Sequence, residues 1–463
     1  MADHDDLLDD VAARRLAQRA AALLPLGTLA ADRAPEDPAA VAALTAMAQR
    51  LRDTYPYHDP RYAGQMLKPP APVAWAAYAT AMLLNPNNHA LDGGPATARM
   101  EREVVEQLGD MLGVGAPRLG HLTSSGTIAN LEALWVAREL APGTAVVSSE
   151  AAHYTHARMC GVLGVAHEPI AQDAEGRMDL DALAARLAAG GVGTVVATLG
   201  TTSLGALDPL PQIADLCTEH GARLHVDTAY GGFYALLAAP DGEPQVDAAA
   251  YAAIARADSV VIDPHKHGLQ PYGCGCVLFA DPAVGRFYAH DSPYTYFTSD
   301  ELHLGEISLE CSRAGASAAA LWATLQALPL TRDGLGAQLA STRAAGLELA
   351  ARLAADDRVA LLVEPELDIV CSLARRAPDP SAAAERAFAT LAAEGWHVAT
   401  VRLDTAWARG RHPWLPQDAP TVTALRCCLL KPEHLGVAGA LADAVIAALD
   451  GASASLAPAA PAA

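Results

Sequence analysis

The stretch VVIDPHKHGLQPYGCGCVLF, residues 260–279, decides how this chain is read. An apolar run of strand length ends in Asp-Pro, and a lysine follows between two histidines. A second apolar run, CGCVLF, comes next without an intervening helix, so the two strands are expected to pair antiparallel. A lysine behind a buried strand is poorly placed to reach water. Burial there favours the neutral amine, which is a nucleophile toward carbonyls. The alternative reading is a metal site. His265, His267, Cys274 and Cys276 lack an ordinary zinc spacing, however, and adjacent residues of an extended segment face opposite sides. No metal is therefore expected, and the GCGC run reads as close backbone packing within a strand.

Upstream, short apolar runs (TAVVSS, VGTVVATLG, ARLHVDTAY and DSVVID) alternate with helical segments such as LPQIADLCTEHG. Continuous apolarity in strands separated by helices predicts a mostly parallel sheet covered on both faces. Two positions in this pattern carry chemistry. In HLTSSGTIANLEAL a helix begins near Ser125. The free N–H groups at its start, with Ser125, Gly126 and Thr127, make an anion site suited to phosphate. In LHVDTAYGGF, Asp227 ends an apolar strand, with His225 and Ala229 on the same face. Open α/β sheets bind ligands at that end of the strand.

A phosphate cup, a carboxylate on a strand and an amine on a later strand together answer the needs of pyridoxal phosphate. The cup holds the phosphate, the carboxylate keeps the ring nitrogen protonated, and Lys266 holds the aldehyde as an imine.

These segments, HVDTAYGGF, DPHKHG, TSSGTIANLEAL and HYTHARMCGVLGV, resemble the group II pyridoxal-phosphate-dependent amino acid decarboxylases, the family of the glutamate and aromatic-L-amino-acid enzymes. The resemblance runs from about residue 55 to about residue 445. It implies fold type I: an α/β large domain around a mostly parallel sheet, a smaller C-terminal α+β domain, and a homodimer with its active sites at the subunit interface. By the family's motifs, Lys266 binds the cofactor aldehyde and Asp227 pairs with the ring nitrogen. Ala229 packs on one ring face and His153 stacks on the other. Ser125, Gly126 and Thr127 hold the phosphate with His265 close by, and Thr201 lies near the cofactor. Arg426 matches an arginine that some members use for a substrate carboxylate. Of the tyrosines in HDSPYTYF, Tyr294 rather than Tyr296 is the expected proton donor. GLQPYGCGC after the lysine departs from the tryptophan-containing sequence of the aromatic amino acid decarboxylases, which weighs against an aromatic substrate.

The implied activity is α-decarboxylation of an L-amino acid. An aminotransferase, a lyase or a non-catalytic cofactor-binding protein would use the same residues. The substrate stays open, free or carrier-tethered. Lys68, Arg402, Arg409 and Arg411 keep acidic side chains in play. The domains are expected at 1–66 (helical), 67–328 (cofactor-binding) and 329–450 (C-terminal), with a disordered tail over 451–463.

Hydrophobic residues make up 52% and charged residues 18%, which is a globular composition. The net charge of −21 argues against nucleic acid. No uncharged run approaches the roughly 18 residues of a membrane span. The N-terminal stretch has neither a basic nor an apolar leader segment, and the eight cysteines are scattered. A reducing, cytoplasmic setting is therefore expected.

Overall fold

Strands form where the apolar runs are unbroken, and in the computed structural model seven of them share one sheet. The structure describes residues 37–238, 242–289 and 308–456, with a few positions between 15 and 24. The strands are β1 (Leu119–Thr123), β2 (Ala145–Ser149), β3 (His167–Ile170), β4 (Val192–Thr198), β5 (Arg223–Asp227), β6 (Ser259–Ile262) and β7 (Gly275–Phe279). Their order is β1-β7-β6-β5-β4-β2-β3. The block β6-β5-β4-β2-β3 is parallel throughout. β7 runs antiparallel to both β6 and β1, as the absence of a helix between β6 and β7 implied.

This order fixes where the chemistry lies. The chain leaves β1 at Ser124, β4 at Leu199, β5 at Thr228 and β6 at Asp263, all at the same edge of the sheet. β7 enters from that edge, which lets Gly275 pack against the backbone of Ser125 and Gly126. A Cβ on Gly275 would lie 2.6 Å from the Ser125 carbonyl carbon.

The helices of this part are α1 (Pro38–Leu51), α2 (Pro72–Met82), α3 (Pro95–Met111), α4 (Gly126–Leu140), α5 (Thr155–Leu163), α6 (Leu180–Ala188), α7 (Leu210–His220) and α8 (Gly315–Ala327). α3 buries Val104, Val105 and Leu108, which lie on one helical face. α1 is different. None of its residues is buried, and Val41, Leu44, Met47 and Leu51 form an exposed apolar line.

The C-terminal unit is an antiparallel sheet, order β10-β11-β9-β8, of β8 (Val359–Leu361), β9 (Ile369–Ala374), β10 (Ala399–Asp404) and β11 (Thr421–Cys428). Helices α9 (Leu335–Ala354), α10 (Pro380–Ala393) and α11 (His434–Leu456) pack on it through Leu349, Leu391, Leu441 and Val445. α11 is long and apolar enough to cross a membrane, but its apolar face lies in this core. It also runs to Leu456, past the expected start of the tail at 451; residues 457–463 lie outside the described residues.

Residues 57–63 dock on the C-terminal unit. Ala63 N–H donates to the His397 carbonyl, and Cys428 N–H donates to the Ala63 carbonyl. The Lys431 ammonium, buried, donates to the carbonyls of Tyr57, Asp59 and Tyr62 at 3.0, 2.6 and 2.7 Å. Replacing Lys431 by Met would remove a charged donor from all three carbonyls, leaving Asp59 only the Tyr62 N–H and Tyr62 only His434 Nε2. The expected loss of unfolding free energy is about 3 kcal/mol, read from the urea midpoint of the purified variant.

Candidate active site

A cleft opens where the strand ends meet. Its walls are Ser125, Gly126, Thr127, Asn130, His153, Thr155, Thr198, Gly200, Thr202, Asp227, Ala229, Tyr230, Asp263, His265 and Lys266. Each loop arrives there because its strand stops at the same sheet edge.

The floor is Asp227. Burial by itself raises the pKa of a carboxyl group. Here the His156 Nε2–H, at 3.0 Å from Oδ2, and the Ala229 N–H, at 2.9 Å from Oδ1, more than offset it, helped by the Lys266 charge. Asp227 is held well below the usual carboxylate range and stays ionised. Asn130 adds an amide donor at 3.4 Å, and its carbonyl oxygen accepts from His225 Nε2 at 2.8 Å. Burial drives the His225 pKa down to about 3, so its ring is neutral and Nδ1 accepts from the Ser259 hydroxyl at 2.9 Å. The result is a fixed negative charge with a rigid hydrogen-bonded backing.

The amine lies opposite. Lys266 Nζ is 3.1 Å from Asp263 Oδ2. Asp263 is buried against the start of α4, where a Cβ on Gly126 would lie 2.5 Å from its carboxylate. Ser125 caps α4, its Oγ accepting from Ile128 N–H at 3.3 Å. The N–H groups at the start of this 15-residue helix are therefore directed at the cleft. Burial lowers the pKa of His153, and its Nδ1 accepts from the Thr155 N–H at 3.3 Å. Its ring forms a side wall. Burial also lowers the pKa of His265, whose Nδ1–H donates to the Cys274 carbonyl at 2.7 Å. His267 points the other way, against Tyr230 and Tyr234. The two histidines flanking the lysine thus diverge.

The structure brings together Ser125, Gly126, Thr127, His153, Asp227, Ala229, His265 and Lys266. It does not bring Thr201. That side chain is buried inside the turn after β4, where its hydroxyl accepts from Ala206 N–H at 3.0 Å, and Thr202 lines the cleft in its place. Gly200, at φ +96°, turns the chain just before it, shifting the exposed threonine by one position. Arg426 lies on β11 opposite Cys371, whose thiol is 3.3 Å from the Ser203 carbonyl. Paired residues share a face of the sheet, so the buried guanidinium faces the junction with the large domain. Its Nε and Nη2 have no hydrogen-bond partner among the described residues. Tyr294 and Tyr296 lie outside the described residues.

Of the other cations considered, Arg402 is exposed, Arg409 donates to the Leu415 carbonyl and Arg411 pairs with Glu175. Lys68 Nζ donates to the Leu430 carbonyl at 3.2 Å. Sequence reading missed Asn130, His156 and Asp263. Asn130 stands one helical turn after Gly126, and His156 three residues after His153 at the start of α5, so both spacings were there to be read.

Residues 57–374 match the model of the pyridoxal-dependent decarboxylase conserved domain. The chain belongs to this family. It is 34% identical over 351 residues to a probable L-aspartate decarboxylase of Halobacterium salinarum, covering 75% of this chain and 90% of that protein. It is 29% identical over 318 residues to a probable L-tyrosine/L-aspartate decarboxylase of Methanothermobacter thermautotrophicus, covering 68% and 83%. Among solved structures, the TDC of Oryza sativa with PLP and tryptamine superposes with a TM-score of 0.77 at 18% identity, covering 96% of this chain and 98% of that one. The likeness is one of fold and, with the family match, it gives this chain the fold type I architecture. The enzyme is a pyridoxal-phosphate-dependent amino acid decarboxylase.

The residues present fit that cofactor. The ionised Asp227 suits a protonated ring nitrogen, the start of α4 suits a phosphate, and the Lys266 amine suits an aldehyde. Gly126→Ala would push a methyl group into Asp263 and crowd the cup. At least a tenfold loss of cofactor affinity is expected. It is measured by titrating pyridoxal phosphate into the apo-protein, with thermal unfolding as the control for folding.

Proposed function

We propose that this enzyme removes the α-carboxylate of a free acidic L-amino acid, aspartate foremost, working as a homodimer in the cytoplasm. The observation that carries the substrate class is the buried Arg426 guanidinium, facing the junction beside the cleft with two nitrogens lacking a partner among the described residues. A buried, incompletely paired cation calls for an anion. The names of the Halobacterium and Methanothermobacter relatives, both including aspartate, point the same way.

Bound pyridoxal phosphate supplies an aldehyde that condenses with amines and a ring that takes up the electron pair left by a departing carboxylate. The protein does the rest. Asp227 holds the proton on the ring nitrogen, so the electron sink stays charged. Ser125, Gly126 and Thr127 anchor the phosphate, with His265 close by. His153 and Ala229 line opposite parts of the cleft and would hold the ring between them. Asp263, with Oδ2 3.1 Å from Lys266 Nζ, holds that amine in place at the cleft. Arg426 would bind a carboxylate of the substrate and so help set the substrate's orientation in the cleft. Tyr294 returns a proton to Cα.

The eight cysteines are all unpaired thiols, which agrees with a reducing compartment. The exposed apolar line of α1, with Trp75, Met82, Leu83 and Leu84 exposed in and just after α2, supports a second copy as the covering partner. Changing Leu44 and Met47 together to Asp should convert the dimer to monomer in light scattering.

The deciding assay captures CO₂ from a panel of L-amino acids. Aspartate or glutamate should lead. An aromatic or basic amino acid in first place, or release of ammonia or keto acid without CO₂, would overturn the proposal. Arg426→Gln should raise KM about tenfold or more, as expected for a lost charged contact. Lys266→Ala should abolish turnover and prevent borohydride from fixing the cofactor to the chain.

A further inference from the structure

Behind the cleft wall lies a buried ionisable cluster in which no role has yet been assigned. Asp368, just before β9 in the C-terminal unit, has no exposed surface. Its Oδ1 accepts the Tyr230 hydroxyl at 2.7 Å, and its Oδ2 stands 3.4 Å from His267 Nε2. His267 is also buried, with neither ring nitrogen hydrogen-bonded among the described residues. Its ring meets the rings of Tyr230 and Tyr234 edge-on, at centroid distances of 4.7 and 5.1 Å. Tyr234 in turn bonds Thr342 on α9 at 2.8 Å. Lys68 supplies the opposing charge nearby, its own pKa pushed down to about 8 by burial.

The position of these contacts matters more than their number. Tyr230 belongs to the turn that leaves β5 just after Asp227 and lines the cleft. His267 belongs to the turn that leaves β6 and directly follows Lys266. These turns carry the ring-charge partner and the amine, and one carboxylate from a separate unit touches both. A structural core has no need of a charge here. An apolar side chain would fill the space without the desolvation cost that pushes the Asp368 pKa up to about 6.

We infer that Asp368 is a positioning residue for decarboxylation, a clamp that fixes the turn after Asp227 by accepting the Tyr230 hydroxyl and packs against His267, the residue after Lys266, so that Lys266 and Asp227 keep a fixed separation. The inference rests on the assignment of Lys266 and Asp227 above. It assigns the C-terminal unit a part in holding the reacting geometry.

Tyr230→Phe removes only the hydroxyl and keeps the wall. Asp368→Asn keeps the shape and removes the charge. In the holoenzyme each should lower kcat about tenfold, leave KM within about twofold, and weaken the visible circular dichroism of the bound cofactor, which reports its orientation. The double variant should cost less than the product of the two single losses. Unchanged kcat and dichroism in Tyr230→Phe, or losses that multiply, would overturn the clamp. Should Asp368→Asn fail to fold, Tyr230→Phe decides by the same two readouts. Lys266→Ala, run alongside, separates the failures. If it is inactive while Tyr230→Phe matches the wild type, the clamp alone is wrong. If it retains turnover, the site assignment falls and the clamp with it.

Discussion

A bare negative charge buried at a sheet edge is the constraint that organises this molecule. Asp227 ends a strand flanked on both sides by parallel neighbours, so water cannot solvate it freely. An isolated carboxylate there would simply take up a proton. His156, Asn130 and the Ala229 N–H prevent this, and the second layer of His225 and Ser259 holds Asn130 in place. The cost of keeping the charge is met by helices α4 and α5, which must pack close enough to bring Asn130 and His156 inward. The fold around the cleft can be understood as the scaffolding that this ionised group requires.

The opposite pole is arranged by the same logic. Asp263 balances Lys266, and Gly126 leaves it room. Between the two poles lies a helix start with directed N–H groups. A ring cation, an aldehyde and a phosphate are thus each met by a group of matching character, and the three are carried by separate strands ending at one edge. The parallel order of β4, β5 and β6 makes that convergence unavoidable.

Much of this was legible because it is local. Lys266, Asp227 and the Ser125–Thr127 cup each announce themselves within a few residues, through an apolar run that ends in a polar side chain. The antiparallel turn of β7 followed from a missing helix. Other features were hidden for physical reasons. β10 gives little signal in sequence because it is an edge strand whose residues alternate between exposed and buried, and it carries no continuous apolar run. Thr201 and Thr202 look equivalent in sequence, and only the positive φ of Gly200 decides which one faces the cleft. Asp368 gave no signal, since its partners Tyr230 and His267 lie more than a hundred residues away and no spacing rule connects them.

The latch of residues 57–63 onto the C-terminal unit also bears on how the protein is made. Lys431 and its carbonyl acceptor on Tyr62 are 369 residues apart. A ribosome delivers the early segment long before its docking surface emerges, so the latch cannot close until the segment bearing Lys431 has been made. Contacts of such high sequence separation slow folding. Closure of this latch is therefore a late event in folding.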